Sequence, residues 1–121
     1  MAIIAEFKNG ATKTYTKSAY QFDKGQVLTF FGITLPESCE IHASNSKYSD
    51  TAMICKSQGN DALLPDILFM SGDFVYVWVY VITTGENITS QSTLYEVVIP
   101  VIRRPGSMLT STFYSAPEIY I

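Results

Sequence analysis

Cys39-Glu40-Ile41-His42 is the stretch whose residue types and spacing come nearest to a reactive or metal-binding set, with Cys55 as a third ligand. Thiolates and an imidazole can hold zinc, and a thiol beside an imidazole can act as a nucleophile with its base. The surrounding alternation reads as a strand, where positions three apart point to opposite faces, so Cys39 is expected inward and His42 at the surface. His42 is the only histidine, which excludes a histidine-rich metal site and a two-histidine acid/base pair. No third group is marked to orient a Cys/His couple. The carboxylates Glu6, Asp23, Glu37, Glu40, Asp50, Asp61, Asp66, Asp73, Glu86, Glu96 and Glu118 sit mostly at turns or strand ends, and no glycosidase-type pair stands out. The glycines follow no phosphate-loop spacing, no EF-hand loop is present, and the Asn87-Ile88-Thr89 sequon is read as chance. The expectation is a protein that is not an enzyme and holds no metal or cofactor.

A framework for these residues is set by composition. The sequence has 121 residues, 47% of them hydrophobic and only 16% charged, below the roughly 25% usual for soluble domains. Low charge leaves surface for partners. A net charge of -3 gives no basic footprint, so nucleic-acid binding is not expected. MAIIAEFKNG lacks the positive n-region and longer apolar run of a signal peptide, which predicts synthesis and folding in a cytoplasm. No apolar run approaches the ~20 residues of a membrane helix, so no membrane insertion is expected. Cys39 and Cys55 make no disulfide framework and are read as small buried thiols.

Residues 73–82, DFVYVWVYVI, are apolar on both faces. In a strand, Phe74, Tyr76, Trp78, Tyr80 and Ile82 share one face while Val75, Val77, Val79 and Val81 share the other. One core covers only one face. The other then needs a neighbouring subunit, a folded-back arm or a second layer, and the sequence does not choose which face is which.

Helical spacing is nearly absent, while alternation and turn signals recur at short intervals. The expected fold is all-β: a single antiparallel β-sandwich, immunoglobulin-like in outline, spanning residues 1–106, with an arm at 107–121. Ala2 to Lys8 and Ala11 to Thr16 flank Asn9-Gly10, which suits a type I′ hairpin turn. Asp23-Lys24-Gly25 makes the next turn, leading Ala19 to Phe22 into Gln26 to Phe31. Ser38 to Ser44 and Thr51 to Lys56 read as strands. Leu63 to Phe69, broken by Pro65, reads as an edge strand or crossover, and Thr93 to Arg103 as the last long strand, with a bulge or edge position at Pro100. Beyond Pro105 the arm carries Met108, Leu109, Phe113, Tyr114, Ile119, Tyr120 and Ile121, too apolar for a linker, and is expected to dock on its own domain or on a neighbour.

Five stretches, YQFDKGQVLTFFGITLP at 20–36, EIHASN at 40–45, LLPDILF at 63–69, the aromatic strand and IPVIRRP at 99–105, together resemble the N-terminal domain of the phage baseplate upper protein. This module occurs in tailed phages and prophages of Gram-positive bacteria. The resemblance covers about residues 15–106. It implies a virion structural protein, without catalysis, that docks receptor-binding or fibre components onto a tail tip in a multi-copy assembly. Its marks fall on Tyr20, Gln21, Asp23, Gly25, Gln26, Arg103, Arg104 and Pro105. The candidate interface is Phe74, Tyr76, Trp78, Tyr80, Arg103, Arg104, Phe113, Tyr114 and Tyr120; the structural turns are Asn9, Gly10, Asp23, Gly25 and Pro105. Implied partners are other virion proteins or further copies of the chain. Family members continue into a linker and receptor-side region, whereas this sequence ends soon after Pro105, as a stand-alone adaptor or a piece of a longer protein. A capsid decoration or head-fibre anchor, and a carbohydrate-binding β-sandwich, are the alternatives.

Overall fold

A computed structural model describes residues 2–36, 39–47, 52–84 and 89–104, without the side chains of 82–84 and 89–92. The described residues are all-β apart from one 3-10 turn: β1 (Ala2–Glu6), β2 (Lys13–Tyr15), β3 (Ala19–Tyr20), β4 (Val27–Phe31), β5 (Cys39–Ser44), β6 (Met53–Gln58), β7 (Asp61–Leu63), the turn at Asp66–Phe69, β8 (Val75–Thr84), β9 (Thr89–Ile99) and β10 (Val101–Ile102). Eight strands form one sheet in the order β1-β4-β7-β6-β5-β8-β9-β2, and β10 pairs with β3 in a small second sheet.

The single antiparallel sandwich is corrected here. β1 runs parallel to β4, β2 parallel to β9 and β3 parallel to β10, so the sheets are mixed. Their arrangement is nearly barrel-like rather than clearly an immunoglobulin-like sandwich. The two ends of the eight-stranded order, β1 and β2, approach each other through a hydrogen bond from the Thr14 hydroxyl to the Glu6 carbonyl, 2.9 Å.

The expected N-terminal hairpin is corrected in the same way. Its turn forms: Asn9 and Gly10 have φ of 55° and 76°, and the Ala11 amide donates to the Lys8 carbonyl at 3.0 Å. The strands on either side do not pair with each other. β1 alternates exposed and buried side chains, and its buried residues, Ile3 and Ala5, lie beside Leu28 and Phe30 of β4. Burial of that face selects the partner, while the turn only reverses the chain.

The same alternation fills the interior. Ile41 and Ala43 of β5, Val75, Val77 and Val79 of β8, Val97 and Ile99 of β9, and Leu28 and Phe30 of β4 are buried in one cluster. The pairing of β8 with β9 shifts register between Val79 and Tyr80, whose partners Tyr95 and Thr93 leave Leu94 of β9 as the extra residue. Leu64, Leu68 and Phe69 join the same core, so the Pro65 break yields a 3-10 turn that packs inward. At Pro100, which lacks an N–H for the ladder, the last long strand ends and the chain passes into β10, which pairs with β3. Two further departures are short. The strand read over Thr51 to Lys56 continues as β6 to Gln58 and turns through Gly59, φ 60°, into β7, and the last long strand, read from Thr93, begins as β9 at Thr89. Pro105 and the arm at 107–121 lie outside the described residues.

Candidate functional site

β8 settles which face is internal. Val75, Val77 and Val79 have no solvent exposure, so the aromatic positions face outward from the core. Phe74 is 46% exposed, and Tyr76, Trp78 and Tyr80 are partly buried along the sheet. Spaced two residues apart, the rings stand in a row: Phe74 and Tyr76 stack at 6.2 Å and 25°, and Tyr76 and Trp78 at 6.2 Å and 16°. Beside them, β5 sets Glu40 opposite Tyr80 and His42 opposite Trp78. The His42 ring meets Tyr80 edge-on at 4.8 Å, and its Nε2 lies 3.0 Å from Glu40 Oε1. On the other flank Glu96 of β9 lies opposite Trp78. β6 adds Ile54, 65% exposed and paired with His42. The face therefore combines polarizable rings with a few polar edges.

Cys39 packs against the core while His42 lies on the outer face, as the strand period requires, so the C-x-x-H spacing assembles no ligand set. Both thiols are free. Burial pushes Cys55 up to about 11 and raises Cys39 as well, which opposes thiolate chemistry at neutral pH. Among the described residues no group of three or more His, Cys, Asp or Glu is placed to hold a metal ion.

The two distant ends of the sequence, near residues 20 and 104, meet in a second cluster. Parallel pairing carries Thr12 to Gln21 alongside Glu96 to Ile102, with amide-to-carbonyl bonds from Ala19 to Pro100 and from Gln21 to Ile102. Arg104 then bonds back: its Nε donates to the Gln21 carbonyl at 2.6 Å, its NH2 group to Asp23 Oδ1 at 2.9 Å, and its amide to Gln21 Oε1 at 3.1 Å. Its guanidinium also lies over the Tyr20 ring at 5.5 Å. Asp23 accepts the Tyr20 amide through its other oxygen, and Gly25, φ 64°, donates its amide to Asp66. Phe22 takes a φ of 70°, and Gly72 leaves room for Arg103, whose Cγ a Cβ there would meet at 2.5 Å. Arg104 thus directs its hydrogen bonds within the chain, while Arg103 is exposed.

Of the candidate interface, the structure gathers Phe74, Tyr76, Trp78 and Tyr80 on one face and places Arg103 and Arg104 in the other cluster. Phe113, Tyr114 and Tyr120 fall outside the described residues. Sequence reasoning missed Glu40 and His42 as neighbours of the rings, although the polar positions of β5 were the available signal. It also missed Asn60, whose side-chain amide donates to the Phe30 and Ile33 carbonyls and accepts the Leu35 amide. Comparison with protein-family models and with curated proteins finds no match to this chain.

Proposed function

We propose that this chain is a non-catalytic attachment module of a phage virion, docking fibre or receptor-binding components onto the tail in a multi-copy assembly. The observation that carries the reading is the ring row from Phe74 to Tyr80, which lies on the face of β8 that the core does not use. Aromatic residues are enriched where protein surfaces bury each other, because rigid rings exclude water over a large area at low entropy cost. The resemblance to the baseplate upper protein family supplies the context, and the Tyr20, Gln21, Asp23 and Arg104 cluster is the scaffold that joins its two end motifs. In this reading the chain is made and folded in the bacterial host cytoplasm, enters the virion, and meets other virion proteins or its own copies rather than nucleic acid or membrane. A capsid decoration or head-fibre anchor would use the same face at another virion position.

Near-parallel rings also suit sugar stacking, which keeps a carbohydrate-binding module as the second reading. Binding of the isolated chain to the tail-tip and fibre proteins of a phage that encodes it separates the two. Replacing Phe74 and Tyr80 by alanine should weaken that binding at least about tenfold with the far-ultraviolet dichroism unchanged, as expected for central interface anchors. Unchanged binding refutes the attachment reading. Quenching of Trp78 fluorescence by oligosaccharides, without protein binding, favours the sugar module.

A further inference from the structure

Between β1 and the segment from β2 to β3 lies a groove of about 820 Å³, lined among others by Ile4, Tyr15, Ala19, Tyr20 and Arg104. It is the place where the near-barrel stays open. The Phe7 amide donates to the Phe31 carbonyl of β4's last residue, so Ile3, Ala5 and Phe7 direct their backbone groups toward β4. Ala2, Ile4 and Glu6 therefore direct theirs into the groove, and the Glu6 carbonyl is met there by the Thr14 hydroxyl. Opposite, Thr12 and Thr16 bond to Glu96 and Val98 of β9, which turns the backbone groups of Lys13 and Tyr15 toward the same gap. Two strand edges thus face each other, close at the Glu6 end and open at the Ala2 end. Unpaired edges of this kind take up extended chain by strand addition.

We propose that this groove receives a strand, and that the strand is this chain's own C-terminal segment from Ser107 onward. The described chain reaches Arg104 on the groove's own lining, fixed there by Gln21 and Asp23. That position is at the open end, since Ala2 pairs with Val27, the residue after Gln26, which lines the groove too. The sequence continues from Pro105 to Ile121, more than enough at ~3.3 Å per residue to follow the five residues of β1. A strand entering there runs parallel to β1, from Ala2 toward Glu6. Met108 and Leu109 bring apolar side chains to walls that hold Ile4 at 51%, Tyr15 at 64% and Tyr20 at 48% exposure. Tethering makes the chain's own segment the most concentrated occupant. The inference does not depend on the virion reading.

The test is backbone amide exchange measured by NMR on the full chain. The Ile4 amide should exchange at least about tenfold more slowly than in a chain ended at Gly106, independently of protein concentration. The Phe7 amide, bonded to β4, should stay protected in both and report an intact fold. Met108→Pro and Leu109→Pro in the full chain each remove one N–H, and successive residues point to opposite edges. At least one should lose protection at Ile4 or Tyr15, which carries the test if the shortened chain fails to fold. Free exchange of Ile4 in the full chain overturns the proposal. So does protection unaffected by truncation and by both prolines. Protection that appears only as concentration rises assigns the groove to a second copy and overturns the own-chain assignment.

Discussion

Placing the same lysine at the first residue of β8 and at the residue before it, Val75→Lys and Phe74→Lys, separates the two apolar faces. Val75 has no exposure and sits opposite Ile99, itself without exposure. A lysine buried among such neighbours titrates about five units below its usual ~10.4 and is therefore neutral in the fold at pH 7. Deprotonating it there costs about 4.6 kcal/mol at ~1.4 kcal/mol per unit, and forcing a longer side chain into the packed core adds about 1 to 3 kcal/mol. That is comparable to the whole stability expected of a domain this size. Phe74 is 46% exposed. Losing about half of a roughly 200 Å² ring surface at ~25 cal/mol per Å² costs about 2.5 kcal/mol, and the lysine stem recovers part of it. Urea unfolding followed by the fluorescence of Trp78, the sole tryptophan, measures both. Phe74→Lys should remain folded with a lowered midpoint, and Val75→Lys should be largely unfolded without denaturant. A folded Val75→Lys beside an unfolded Phe74→Lys would show that the faces are reversed and refute the assignment of the ring row to the outside.

Three further outcomes follow from single contacts. Arg104→Ala should destabilise by about 1 to 2 kcal/mol through loss of a partly exposed charge-assisted bond, and a double-mutant cycle with Asp23→Asn should show coupling. Gly32→Ala should cost more than about 3 kcal/mol, because φ is 86° and the new Cβ would meet the Phe7 carbonyl oxygen at 2.2 Å; Gly10→Ala, with φ 76° and open space, should cost only about 1 to 2 kcal/mol by thermal unfolding. Cys55 should resist iodoacetamide at pH 8 in the native protein and react readily in urea. Because its folded value is raised from 9.0 to about 11, its contribution to stability is full below pH 9 and is lost as pH rises toward 11, which denaturant midpoints across that range will show.

What the sequence made legible was local. Period-two alternation placed Cys39 and His42 on opposite faces, and Asn9-Gly10 and Asp23-Lys24-Gly25 announced turns that the positive φ values of Asn9, Gly10 and Gly25 bear out. Partner choice was not local. β1 and β2 leave a well-formed turn and still pair elsewhere, because each strand's neighbour is decided by burying its apolar face across a large sequence separation. The two faces of β8 could not be ranked from residue type, since valine and aromatic positions are equally apolar; the choice comes from β5 and β9, which present Ala43 and Val97 opposite Val77. The Arg104 cluster was hidden for the same reason: residues about eighty positions apart in sequence are joined by parallel pairing that no short motif encodes.

The attachment reading is tested most directly by imaging purified particles of a phage encoding this chain by electron cryo-microscopy. The account predicts density for several copies of the near-barrel domain, each with Phe74, Trp78 and Tyr80 buried against a fibre, tail-tip or sister chain. Particles that lack the chain, or that carry it with the ring row facing solvent, would contradict it.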